Sequence, residues 1–126
     1  MQVEEHDGII ERKVVTAFIT SQQILDRWVD RWENGLAESP QANIVIKLCF
    51  KYFRKYHKPP NASILEVFAE WATANPNHSG IELVSTYLAG LSTDYENDGS
   101  LNPDYLNDLI NKHFTRVKTK KLIEDL

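Results

Sequence analysis

Apolar residues along this chain recur at three- and four-residue steps and do not alternate, so the pattern predicts helices throughout. Ile10, Val14, Val15, Phe18 and Ile19 form a first stripe. Ser21 is placed to cap a second helix carrying Ile24, Leu25, Trp28, Val29 and Trp32, with Asn34-Gly35 as its stop. Ser39 followed by Pro40 reads as a cap and a first-turn proline. The helix they open runs to about Tyr56. It is apolar over most of its circumference, which marks the central helix of a bundle, and Pro59-Pro60 ends it. Asn61 is placed to cap a fourth helix with Ile64, Leu65, Phe68, Trp71 and Ala72, broken by Asn75-Pro76-Asn77. Ser79 is placed to cap a fifth with Ile81, Val84, Tyr87, Leu88 and Leu91. Residues 92–101 have loop composition, and Asn102-Pro103 opens a last helix with no stop before Leu126.

The fold class this predicts is all-α: a compact bundle of about six helices with short connections. The last helix changes character along its length. Leu106, Leu109, Ile110, Phe114 or His113, and Val117 keep one stripe, whereas residues 118–126 move their apolar positions to another face. That shift, with an uncapped end, reads either as the N-terminal piece of something longer or as a frayed natural C-terminus.

Composition narrows the class. The 126 residues are 42% hydrophobic and 25% charged, average for one globular domain with a real core. One cysteine, Cys49, excludes an internal disulfide framework and any cysteine-based zinc site. No apolar run is long enough to span a membrane, and the acidic N-terminus lacks a signal-peptide layout, so the expected compartment is cytoplasmic. The net charge of −4 conceals four blocks. Residues 1–38 carry −4, residues 39–60 carry +5 with no acid, residues 61–111 carry −8 with no Lys or Arg, and residues 112–126 carry +3. A basic face and an acidic face on one molecule suit pairing between copies, and the acidic block repels phosphate.

Sites for chemistry are few. There is no P-loop and no Gly-x-Gly-x-x-Gly. His6, His57, His78 and His113 form no local metal template, and Cys49 lies in the most apolar helix, where cysteine is usually a small hydrophobe. Asp94, Glu96 and Asp98 echo a calcium loop, but the twelfth position counted from Asp94 is Tyr105, not an acid. No catalytic residue, cofactor or metal is expected.

Three constellations are candidates for interfaces. Lys47, Lys51, Arg54 and Lys58, with Lys55 beside them, make a basic row that is either a solvated face or a contact for phosphate or an acidic partner. Trp28, Trp32 and Trp71 are either core or interface anchors, and Trp32, near a helix end, suits the second role. The basic terminal helix from Lys112 to Lys121, with Lys118, Lys121 and Leu122 as its candidates, is either a solvated face or, given its shifted apolar phase, a surface that packs against something further.

The order of these pieces resembles the N-terminal domain of the DnaB-type replicative DNA helicases. Glu11-x-x-Val14-Val15-x-Ala17-Phe18-Ile19 is similar to the family's opening segment. Phe53-x-x-Tyr56-x-Lys58-Pro59-Pro60 followed by Ile64-Leu65 resembles its third helix, turn and next helix. Tyr87-Leu88-Ala89-Gly90-Leu91 and Lys120-Lys121-Leu122-Ile123-Glu124 resemble two later segments. Thr16 and His57, where the family usually has glycine, and a longer spacing after Tyr105 mark a divergent version, of the kind a phage or mobile element carries. The resemblance implies a helical head over residues 1–111, with residues 112–126 as the start of a truncated helical hairpin leading to a motor domain, and a non-catalytic role in oligomerisation and in docking primase or a helicase loader. The parent would be a hexameric, ATP-dependent helicase whose motor lies elsewhere, with DNA met only through that complex. Alone, this piece is expected to be a monomer or weak dimer. The alternatives are the helicase-binding domain of a primase, or a small stand-alone DNA-binding or regulatory helical protein.

Overall fold

The computed structural model describes residues 2–32, 37–96 and 102–124; for residues 2–9, 92–96 and 121 only the backbone is described. The elements are α1 (Gln2–Thr20), α2 (Gln22–Trp28), α3 (Pro40–Tyr56), a 3-10 turn (Asn61–Ser63), α4 (Ile64–Ala74), α5 (Ile81–Glu96) and α6 (Pro103–Glu124). The all-α bundle of six helices is therefore as the periodicity predicts, and no strand occurs among the described residues.

Local side-chain chemistry sets three of the helix starts. The Ser21 hydroxyl accepts from the Ile24 amide at 3.2 Å, and the Ser39 hydroxyl accepts from the Ala42 amide at 3.3 Å beside Pro40. Asn102 Oδ1 accepts from Asp104 N and Tyr105 N at 2.8 and 3.3 Å. Asn61 departs from expectation. It has φ of 50°, its side chain reaches back to the Pro59 carbonyl at 3.5 Å, and the 3-10 turn precedes α4. Ser79 is likewise displaced: Gly80, whose carbonyl accepts from Val84 N at 2.9 Å, directly precedes α5. Residues 92–96, expected in a loop, continue α5, so Asp94 and Glu96 have helical backbone. Asp98 and the Asn34-Gly35 stop lie outside the described residues.

The hub of the bundle is α1, not α3. It packs against α2, α3, α5 and α6, whereas α3 packs against α1, α4 and α5. Val14 through Ile19 are all buried, Thr16 included. Thr16 tolerates this because its hydroxyl donates to the Arg12 carbonyl at 2.8 Å, so no polar group is stranded. On α3, by contrast, one face stays charged and exposed. Phe18 meets Phe50 and Trp32 edge-on at 5.0 and 5.4 Å, and Trp28 is fully buried with its indole N–H donating to Asn107 Oδ1 at 2.9 Å. On α6 the buried stripe is Leu106, Ile110, His113 and Val117, with Leu109 and Phe114 half-buried. The peripheral helix is α4: Ile64 alone is buried there, and Leu65, expected in its apolar stripe, is 46% exposed.

Candidate docking groove

Because α4 is lightly held, a groove opens between it and α3. The groove has a volume of about 480 Å³. The α3 wall presents Lys51, Tyr52, Lys55 and Tyr56, and the α4 wall presents Glu66, Val67, Glu70 and Trp71. Lys51 and Lys55 are one turn apart, as are Glu66 and Glu70, so each wall carries a charged pair of one sign. The Tyr52 and Tyr56 rings meet at a tilt of 47° with centroids 4.6 Å apart, and Trp71 sits between Phe68 at 6.0 Å and the His78 ring at 4.9 Å. The result is an aromatic cleft with a basic and an acidic rim.

The connector below it is rich in residues of restricted backbone. α3 ends on His57 in the left-handed conformation (φ 58°), its amide donating to the Phe53 carbonyl at 2.7 Å, where glycine is the usual residue. Pro59 and Pro60 follow, then Asn61, again with positive φ.

The basic row predicted from the sequence is divided. Lys51 and Lys55 line the groove. Lys47 is exposed on α3 outside it, and Lys58 is exposed in the connector beyond the helix end. Arg54 turns the other way, donating to the Val29 carbonyl at 3.0 Å and lying 5.9 Å from the Phe50 ring centre, so it closes the end of α2. Trp32 is half-buried, stacked on His113 at 6.2 Å and edge-on to Phe18 and Trp28, which makes it part of the core margin. Lys118 Nζ lies 5.2 Å over the Phe114 ring, Leu122 is 65% exposed, and of Lys121 only the backbone is described. The sequence reading missed Glu66, Glu70, Tyr52 and Tyr56. Their signal was available: two i,i+4 pairs of opposite sign on helices joined by a short proline connector.

A second polar assembly is buried and architectural. The Glu11 carboxylate accepts from the Glu38 amide at 2.8 Å, the Ser39 amide at 3.2 Å and the Ser39 hydroxyl, and lies 3.8 Å from His113 Nε2. It places negative charge at the start of α3 and ties residues 38–39 to α1. Glu38 pairs outward with Arg116 and Lys120 of α6 at 4.0 and 3.8 Å.

Two further groups are shaped by burial. It pushes the Cys49 thiol well above its ordinary range, so the thiol stays protonated. It also pushes the Tyr87 phenol up, with the Glu11 charge adding to the effect against a smaller pull from Arg12. Among the described residues, no group of three His, Cys, Asp or Glu side chains converges to hold a metal, and no helix is long and apolar enough to cross a membrane. Compared with protein-family models, curated proteins and solved structures, the chain has no match.

Proposed function

We propose that this chain is a non-catalytic assembly and docking domain, the role its resemblance to the head of a DnaB-type replicative helicase implies. The observation that carries this reading is the second face of α6. That helix continues for two turns beyond Val117, its last buried residue among those described, and there exposes Leu122 and Ile123 at 65% and 63%. Large aliphatic side chains held outward on a regular helix favour a protein contact. In this reading the parent is a cytoplasmic hexameric helicase, α6 belongs to its collar, and primase or a loader docks on the head.

The charge layout weighs against DNA as a direct ligand. The two groove lysines face an acidic wall, and Arg54 is engaged at the end of α2. Sedimentation velocity over a wide concentration range, with pull-down by a replicative primase and a helicase loader, tests the proposal. Weak, concentration-dependent self-association or capture of either partner supports it. A strict monomer that captures neither, yet binds duplex DNA with a steep salt dependence, overturns it in favour of a DNA-binding protein.

A further inference from the structure

The groove between α3 and α4 holds two oppositions that the chain itself leaves open. Lys51 and Lys55 stand exposed on one rim and Glu66 and Glu70 on the other, so the site has no net charge but a strong dipole. Among the described residues, ion pairs join Glu11 to His113 and Glu38 to Arg116 and Lys120, and none crosses the groove. The rings repeat the arrangement. Tyr52 and Trp71 are half-buried on facing walls, yet each makes its ring contacts on its own side, Tyr52 with Tyr56 and Trp71 with Phe68 and His78. Lys55 Nζ lies 5.3 Å from the centre of the Tyr56 ring, which leaves Tyr52 and Trp71 as the rings open to a guest. The volume of about 480 Å³ is in the range of small-molecule sites.

A ligand of one sign gains little here, because each rim repels what the other attracts. A ligand that carries both signs meets both rims. Its anion needs donors that converge on several oxygens, and two lysines one turn apart suit a phosphate. Its cation lies over aromatic faces beside carboxylates. A quaternary ammonium gains most in that setting, since it gives up less hydration than a primary one and the ring faces offer a primary ammonium no lone pairs in return. We propose that the groove binds a small zwitterion of the phosphocholine type, with its phosphate on Lys51 and Lys55 and its quaternary ammonium over Tyr52 and Trp71 beside Glu66 and Glu70. The same chemistry has two sources, a free phosphocholine compound and the headgroup of a phosphatidylcholine surface. The proposal goes beyond the assembly reading and is tested separately from it.

The test is an NMR titration of the isotope-labelled full chain with phosphocholine. The expected result is saturable binding with a Kd at or below about 1 mM, and amide shifts confined to α3 and α4. Choline alone, inorganic phosphate alone and phosphoethanolamine should each bind at least about threefold more weakly. Lys51→Gln lowers the affinity for phosphocholine roughly two- to fivefold and does not weaken choline. Glu70→Gln weakens both by a similar factor. Trp71→Leu weakens both roughly three- to tenfold. Lys47→Gln, exposed on α3 outside the groove, changes neither. Lys51 and Glu70 are exposed, so their variants keep the test intact even where Trp71→Leu disturbs the fold, which circular dichroism reports. Cosedimentation with phosphatidylcholine vesicles assigns the headgroup as the source, and binding of soluble phosphocholine without it assigns the free compound. Three outcomes overturn the proposal: no saturation up to about 20 mM phosphocholine, binding that survives Lys51→Gln and Glu70→Gln combined, or phosphoethanolamine or inorganic phosphate bound as tightly. Each of them leaves the assembly reading standing.

Discussion

Replacing Glu11 tests the claim that one carboxylate fixes the start of α3. It accepts two backbone amides and a hydroxyl from residues 38 and 39, and its side chain is only 9% exposed. Hydrogen bonds to a charged acceptor contribute about 1.5–3 kcal/mol each, but three on one carboxylate do not add. Glu11→Ala also removes the partner of donors that water reaches poorly. Together these give a loss of about 3–5 kcal/mol. A 126-residue domain has a total stability of roughly 6–19 kcal/mol, so a large part of it is at stake. Glu11→Gln keeps the shape and one acceptor, and is expected to lose about half as much. Urea titration followed by circular dichroism measures both, with the slope checked for constancy. Ser39→Ala combined with Glu11→Gln should show coupling of about 1 kcal/mol or more, since the two side chains share a hydrogen bond. The exposed Glu66→Ala is the control, expected within about 0.5 kcal/mol of the parent. A Glu11→Ala loss below about 1 kcal/mol, or none beyond the control, refutes the reasoning.

Three other substitutions have expected outcomes. The Tyr87 hydroxyl is buried without a hydrogen-bond partner among the described residues, so Tyr87→Phe should be neutral or stabilising by up to about 1 kcal/mol in urea titration. Its raised pKa means that the unfolded chain loses this proton first, so stability falls as pH climbs past about 10, and the variant should flatten that alkaline fall. His57→Gly relieves a left-handed residue and should raise stability by about 0.5–1 kcal/mol, read as a higher melting temperature with unchanged helicity. Arg54→Gln should cost about 1–2 kcal/mol through the freed end of α2, whereas Lys47→Gln should cost almost nothing; equal effects would mean that the row acts as one surface.

What could be read from the sequence was local. Ser21, Ser39-Pro40 and Asn102-Pro103 are legible because capping is decided within three or four residues. Asn61 carries the same signal, but after Pro59 and Pro60 its backbone takes positive φ and its side chain points back. The loop-like composition of residues 92–96 was outweighed because propensity differences are tenths of a kcal/mol, and α5 was already docked through Val84, Leu88 and Leu91. Periodicity could not choose between His113 and Phe114, which straddle one helical phase; contact with Glu11 and Trp32 places the histidine inside. The basic row looked continuous in one dimension. Its division follows from where α2 and α4 lie relative to α3, which spacing along α3 does not encode. The assembly function rests on the family resemblance and on the outward face of α6, and its tests are those of sedimentation and pull-down.

The connector between α3 and α4 has a bearing on binding thermodynamics. Residues 57–61 hold two prolines between two residues of positive φ, so few backbone torsions there are free to change. The spacing of the two groove walls is then set before any ligand arrives, and little of the free energy of association is spent on ordering the receptor. The affinity of whatever enters the groove should therefore depend on how well that guest is ordered beforehand.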